Sequence, residues 1–388
     1  MQGGYIYLDH AATTPMRPEA VEAMRPYLVD QFANPSGSHR FAREARRVID
    51  EARDAVAGVL KCKPGEVVFT GGGTEGDNAA ILGAVRWMQS HGGTARAVCS
   101  AAEHHAVLHC VEHVDGVVVG TDAQGSIDLA QLAAALDKLV VDGATPVVSV
   151  MAVNNEVGNI TPMREVAAVV RKHAPKAILH TDAVQAACWV DLAQLTALVD
   201  VLTLSSHKFG GPKGSGVMFL REGIYLEPLI LGGGQERDRR SGTHNVAGIA
   251  ATAAALVATA AEREAECVRI ATLRAELVAG LQAVGGISAT IPADRSVPGV
   301  AHFCIQGIEN EALLYLLDES NLCASAASAC ASGAMEPSHV LAAMGVPRDL
   351  AKGALRLSLG HTTTHDEIAA AVGIVGTAVT RLRERTRS

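Results

Sequence analysis

No C-x-x-C pair occurs among the eight cysteines of this chain (Cys62, Cys99, Cys110, Cys188, Cys267, Cys304, Cys323 and Cys330). Their spacing excludes a zinc knuckle and a disulfide framework, and leaves most of these thiols as small buried hydrophobes. Positive charge is in deficit: Lys+Arg 33 against Asp+Glu 41 gives a net charge of −8, so nothing draws the whole molecule to nucleic acid or an anionic membrane. Residues 1–10 hold no basic segment followed by an apolar stretch; a secretory signal is not expected, and the expected compartment is the cytoplasm. Long hydrophobic runs are missing too. The most apolar helical stretch, about residues 249–261, is mostly alanine and falls short of the roughly 20 residues that span a bilayer. No internal repeat or low-complexity linker interrupts the chain, so its domains are expected to pack closely.

What is present is ample for a large core. At roughly 100–200 residues per domain, 388 residues allow two domains or three, and a chain 48% hydrophobic and 19% charged is globular. Short β-branched runs at 66–70, 95–100, 116–119, 146–150, 176–181, 199–205 and 216–220 alternate with helical patterns at 75–89, 128–139 and 162–173. This is the pattern of an α/β fold, a large domain with a mainly parallel seven-stranded sheet flanked by helices. A long helical pattern at 245–284, expected to bend or break once, leads to strands near 299–305, 322–325 and 354–358 and helices at 309–319 and 364–385, which suit a smaller α+β domain. The division expected is 15–260 for the large domain, with 1–14 and 261–388 forming the small one.

Polar clusters fall at the ends of these strands, where an open α/β sheet places its ligands. Thr70-Gly-Gly-Gly-Thr-Glu-Gly-Asp-Asn78 follows a strand and opens a helix; its glycines either let backbone N–H groups approach a phosphate or only shape a turn. Lys208, in Ser205-Ser-His-Lys-Phe-Gly-Gly-Pro-Lys-Gly214, is either an ordinary solvated lysine or a desolvated amine that attacks an aldehyde. Asp182 either caps a helix or keeps a heterocyclic nitrogen protonated, as a pyridoxal phosphate electron sink requires. In Glu103-His-His-Ala106 an imidazole either caps a helix or lies over a cofactor ring and shuttles a proton near neutral pH. Asn154-Asn-Glu-Val-Gly158 adds amides and a carboxylate at a fourth strand end. One ligand bearing a phosphate, a ring nitrogen and an aldehyde would use all of them.

Two further residues stand apart. Cys330, in Cys323-Ala-Ser-Ala-Ala-Ser-Ala-Cys-Ala-Ser-Gly-Ala334, reads either as a buried thiol or as a nucleophile on a loop that swings between two sites. Arg356, on the apolar strand Leu355-Arg-Leu-Ser-Leu-Gly360, needs a carboxylate partner, from a ligand or from the chain itself.

Taken in order, these residues resemble the pyridoxal phosphate-dependent cysteine desulfurases of the class V aminotransferase fold (fold type I). The likeness runs nearly end to end, through Tyr7-Leu-Asp-His-Ala-Ala-Thr-Thr-Pro15, Asn34-Pro35, Gly72-Gly-Thr-Glu75, Glu103-His104, Asn154-Asn-Glu156, Asp182 with Gln185, His207-Lys208, Arg240-Ser-Gly-Thr243, Ser328-Ala-Cys330, Glu336-Pro-Ser338 and Arg356-Leu-Ser-Leu-Gly360. The resemblance implies pyridoxal 5'-phosphate held covalently by Lys208, its ring nitrogen on Asp182, its ring oxygen addressed by Asn155 and Gln185, and His104 stacked on the ring. Phosphate contacts would come from Gly73, Thr74, Ser205 and His207, with Thr243 reaching across from the second subunit of a homodimer. Asn34, Asn155 and Arg356 would hold the carboxylate of L-cysteine, and Cys330 would accept its sulfur as a persulfide, leaving L-alanine. Catalysis would rest on Cys330, Lys208 and His104. The sulfur would pass to an acceptor or scaffold protein, for iron–sulfur cluster assembly or thiolation, with no resident metal and a transient iron–sulfur cluster contact at Cys330. The spacing from Cys330 to Glu336-Pro337 matches the long-loop subgroup. Two positions depart from the commonest pattern: Ala327 stands for a glycine, adding Cβ bulk that stiffens the loop, and Gly211 stands for a bulkier residue near the lysine. An aminotransferase, a selenocysteine lyase, a lyase of another amino acid, and a non-enzymatic sulfur-carrying or scaffold protein on the same fold are the competing readings.

Overall fold

Runs of Val, Ile and Leu with no polar alternation become strands buried on both faces, which is what a sheet covered by helices on each side demands. The computed structural model describes residues 4–326 and 338–387. Its strands are β1 (Ile6–Tyr7), β2 (Val67–Thr70), β3 (Ala95–Ser100), β4 (Val117–Val119), β5 (Thr145–Ser149), β6 (Ile178–Asp182), β7 (Val201–Ser205), β8 (Gly216–Leu220), β9 (Ile287–Ala289), β10 (Val300–Ile305), β11 (Leu322–Cys323) and β12 (Ala354–Ser358). Strands β2 to β8 form the seven-stranded sheet, in the order β2-β8-β7-β6-β5-β3-β4. All neighbours are parallel except β8, which runs against both β2 and β7. Since β8 opposes both, β2 and β7 point the same way. The expected α/β architecture is therefore present, with all seven sheet strands where the sequence pattern puts them.

A second core gathers the C-terminal elements with Leu8. There β12, β10 and β9 form an antiparallel sheet, β1 pairs in parallel with β11, and Phe303, Leu313, Leu317, Leu355, Leu357 and Val375 pack with no exposed surface. The helix Val246–Ala283 joins the two cores. Its 38 residues run without the expected break: Ile249, Ala251 and Leu256 lie in the large core, and Ile270, Leu273 and Leu277 in the small one. The expectation of a short apolar stretch is corrected too, because this helix is long and apolar enough to cross a membrane by length and composition. However, 61% of its most apolar window is buried inside the protein, where its alanines let the helices Pro18–Met24 and Arg40–Leu60 pack close.

The helix Arg40–Leu60 was not foreseen. Its buried face, Ala42, Ala45, Ile49, Ala52, Val56 and Leu60, is half alanine, and the remaining faces carry arginines and acids. One of those arginines is buried. Arg53 forks onto Glu236, Nη1 and Nη2 donating at 2.8 and 2.7 Å, and Glu236 also accepts from the Phe69 N–H at 2.9 Å and pairs with His244 Nε2 at 2.9 Å. Those bonds hold an unusual turn, in which Glu236, Arg237 and Asp238 have φ of 50, 59 and 64°, the left-handed region that disfavours side chains. The turn leads directly into Thr243.

Burial alone would raise the Glu236 pKa, but hydrogen bonds from Arg53 and His244, the Arg53 charge and the Phe69 N–H together bring it down to about 2 from 4.5. Its contribution to stability is therefore complete above pH 4.5 and is lost as the pH falls toward 2. Arg53→Ala, which strands a buried carboxylate, is expected to cost about 3–5 kcal/mol in urea unfolding at pH 7 and to flatten the stability curve over that acid range. An unchanged unfolding midpoint would contradict this assignment.

Candidate active site

Strands β2, β3, β5, β6 and β7 all run in one direction, so the segments that follow them meet at one edge of the sheet. A cavity of about 310 Å³ opens there. Gly73 and Thr74 reach it after β2, His104 after β3, Asn155 after β5, Asp182 and Gln185 from β6 and its end, and Ser205, His207 and Lys208 from the end of β7. Arg356 enters from β12, and Ala11 and Ala12 from the segment after β1. Ten of the thirteen residues named from the sequence thus line one space.

Local structure explains how each gets there. The helix that begins at Gly73 presents its first N–H groups to the cavity, and a Cβ on Gly73 would lie 2.6 Å from Val184 Cγ2, so only glycine brings the backbone this close. His104 is the N-cap of the helix His105–His113, its Nδ1 accepting the Ala106 N–H at 3.1 Å, which leaves the ring proton on Nε2. Asp182 Oδ1 accepts the Val184 N–H at 2.8 Å. His104 thus caps its helix, Asp182 closes a turn rather than capping a helix, and both line the cavity. Gly211 has a steric cause, since a Cβ there would collide with the buried Ser206 Oγ.

Lys208 Nζ donates to the carbonyls of Ala11 at 2.6 Å and Ala12 at 2.8 Å, and Gln185 Nε2 donates to Ala11 O at 2.8 Å. Burial, and then the positive charge of Arg356, bring the Lys208 ammonium down to about 8 against the pull of Asp182 and Asp9. The lysine is thus the desolvated kind. Burial pushes the Asp182 carboxyl up, while the Val184 N–H and Lys208 draw it back. His104 and His207 are each lowered to about 4, by burial first and then by Lys208, so both rings are neutral at pH 7. Its own burial first, and then the neighbouring ammonium, keep the His104 ring uncharged near neutrality.

Three of the named residues are not among those lining this cavity. Asn34 is exposed and does not line the cavity; its Oδ1 accepts the Ser36 N–H at 3.0 Å, an ordinary turn ahead of the helix Arg40–Leu60. Thr243 is likewise exposed and outside this chain's own cavity. Cys330, with Ala327, lies outside the described residues. The ends of that segment are described, however. Ser325 exchanges backbone hydrogen bonds with Arg356 at 3.2 and 2.7 Å, and Ser338 Oγ donates to Glu156, which lines the cavity. The seven described thiols are all free, and burial raises the pKa of every one, Cys62 and Cys110 to about 11 and Cys188 to about 12. None is a ready nucleophile at neutral pH.

Sequence reasoning missed Asp77, His339 and the carbonyls of Ala11 and Ala12. Asp77 is buried at the cavity wall, bonded to Thr203 Oγ1 and 3.6 Å from His180 Nε2, and its signal was its place one helical turn after the glycine loop. The donor set fits a phosphate-bearing pyridine aldehyde: a glycine cradle at the start of a helix, a buried carboxylate, and a part-buried amine whose pKa is lowered to about 8.

Comparison with known proteins agrees with that fit. The model of the family described as Aminotransferase class-V matches residues 6–370. An IscS-like cysteine desulfurase of Mycobacterium tuberculosis is 42% identical over 388 residues, covering 97% of this chain and 97% of the relative. Among solved structures, a NifS-like protein superposes with a TM-score of 0.88 at 32% identity, covering 97% of this chain and 99% of the other. SspA in complex with cysteine gives 0.76 at 29% identity, over 91% and 98%.

The Lys208 environment makes a prediction. Covalent uptake of pyridoxal 5'-phosphate by the apoprotein needs the free amine, so its rate is expected to rise as pH passes through about 8, and Arg356→Gln, which removes a neighbouring cation, is expected to move that midpoint upward. Stopped-flow absorbance measures both. A midpoint near 10.5, the ordinary lysine value, would show the amine to be solvated.

Proposed function

We propose, for a chain that belongs to the aminotransferase class-V family and is a pyridoxal phosphate-dependent cysteine desulfurase, that Cys330 is the residue that takes the sulfur of L-cysteine. What carries this reading is the meeting of Lys208, Asp182 and Arg356 in one cavity to which both ends of the Cys330 segment are hydrogen-bonded. Four residues on from Ala326, at about 3.3–3.6 Å of extended chain each, Cys330 is tethered within roughly 14 Å of it.

Bound pyridoxal 5'-phosphate supplies the electron sink that cleavage of a carbon–sulfur bond requires. In this reading Gly73, Thr74, Ser205 and His207 hold its phosphate, Asp182 its ring nitrogen, Asn155 and Gln185 its ring oxygen, and Lys208 its aldehyde. His104, neutral, lies against the ring and offers Nε2–H. Arg356 and Asn155 hold the substrate carboxylate. With a pKa of about 8, Lys208 Nζ is able to both accept and return a proton at neutral pH. Across the reaction the Cys330 sulfur forms an S–S bond to the substrate sulfur, the substrate C–S bond breaks, and a proton ends on the carbon, giving a Cys330 persulfide and L-alanine.

The exposed Thr243, outside its own chain's cavity, suits a homodimer in which it contacts the phosphate bound by the second subunit. An acceptor or scaffold protein then receives the sulfur. A cytoplasmic location belongs to the same reading, and seven free thiols suit a reducing compartment.

Cys330→Ala is expected to retain the cofactor, read by its absorbance, and to lose alanine formation from cysteine by roughly a hundredfold or more, as expected for removal of a nucleophile. Full activity in that variant would sink the assignment of Cys330. Thr243→Ala is expected to weaken cofactor retention on dialysis without touching Lys208, and unchanged retention would remove the cross-subunit contact.

A further inference from the structure

Arg356 is already held by a carboxylate of its own chain. Nη2 donates to Asp9 Oδ1 at 2.7 Å, Nη1 donates to the Asn155 carbonyl at 2.8 Å, and Nε, buried, has no partner among the described residues. The Arg356 side chain, which lines the cavity, is 6% exposed, and that of Asp9, behind it, is 22% exposed. A guanidinium carries five N–H groups; two are taken in these bonds, and an N–H at Nε is left over.

The place of Asp9 is set by backbone register. Residue 9 bridges Ser358 on β12, the strand that carries Arg356, with the Ser358 N–H bonded to Leu8 O at 2.7 Å and the His10 N–H to Ser358 O at 3.2 Å. Tyr7 Oη donates to the carbonyls of Asp9 at 3.1 Å and Thr13 at 2.9 Å. Two and three residues beyond Asp9, the carbonyls of Ala11 and Ala12 take the Lys208 ammonium. One short segment therefore engages both Lys208 and Arg356, and it meets Arg356 with a carboxylate.

An amino acid that enters brings a second carboxylate to the same guanidinium. Two carboxylates on one cation repel, so Asp9 opposes the newcomer's approach even to the N–H groups still free and keeps the Nη2 edge from it unless it moves away. We propose that Asp9 is a resident carboxylate that competes with the amino-acid carboxylate for Arg356: it weakens binding of substrate and product alike, and reclaims Arg356 as L-alanine leaves. The inference rests on the reading of Arg356 as the carboxylate site. Asp9 is a positioning residue here, since it acts through Arg356. Its effect is that of a competing state: if Asp9 holds the guanidinium nine-tenths of the time, apparent affinity is reduced about tenfold.

The test is calorimetric titration of the holoenzyme with L-alanine, which carries the carboxylate and has no sulfur to lose. Asp9→Asn keeps an acceptor oxygen for Nη2 and removes the charge; it is expected to lower the Kd for L-alanine about tenfold, and KM for L-cysteine in the same direction. Ethylamine, without a carboxylate, is expected to bind wild type and variant alike. Asp9→Ser removes the same charge with a smaller acceptor and serves if the first variant does not fold. Arg356→Gln separates the two levels of the argument. If it weakens L-alanine while Asp9→Asn leaves the Kd unchanged or raises it, the competition is wrong and the carboxylate site stands. If Arg356→Gln leaves L-alanine binding unchanged, the carboxylate site is wrong and the competition falls with it.

Discussion

Two cations, the part-buried Lys208 and the buried Arg356, line one cavity, and the segment after β1 is what makes that arrangement tolerable. A buried charge without a partner is costly, and two of like sign compound the cost. The chain meets this with carbonyls at Ala11 and Ala12 for the lysine and a carboxylate at Asp9 for the arginine. Desolvation first, and then the repulsion from Arg356, lower the lysine pKa to about 8. A group that must be an amine in one step and an ammonium in another is thereby placed near the pH at which it works. Strand direction does the rest: five strands deliver their following segments to one edge, so the polar groups that address a cofactor converge without any of them being near another in sequence.

Much of this was legible in the chain. Strands buried on both faces read as unbroken β-branched runs, and the residues after them, Gly73, His104, Asn155, Asp182 and Lys208, were found because each sits where such a run stops. The helix Arg40–Leu60 escaped because an alanine-rich buried face beside many arginines carries little hydrophobic signal. The helix Val246–Ala283 was expected to bend or break where the chain passes from one domain to the other, yet it runs on as one helix and only the core it faces changes. The left-handed turn at Glu236 has no local signature, since it depends on Arg53, 183 residues away.

The same distinction applies at the site. That Arg356 needs an acid was readable from an arginine on an apolar strand; that the acid is Asp9, 347 residues away, depends on the register between the first folded residues and β12. His104 was legible as a ring beside a cofactor, but its charge state follows from burial next to Lys208, which sequence spacing does not contain. The thiols divide on the same physical ground. Burial raises every described cysteine out of the reactive range, which concentrates the expectation for sulfur chemistry on Cys330.

The central claim is that an amine at 208 and a thiol at 330 serve one cavity. The most direct measurement supplies the holoenzyme with cysteine isotopically labelled at sulfur, then reduces one portion with borohydride and maps the peptides of both portions by mass spectrometry. The account predicts the label on the peptide containing Cys330 and, in the reduced portion, the cofactor on the peptide containing Lys208. Label on Cys323 or another thiol, or cofactor on another lysine, would contradict it.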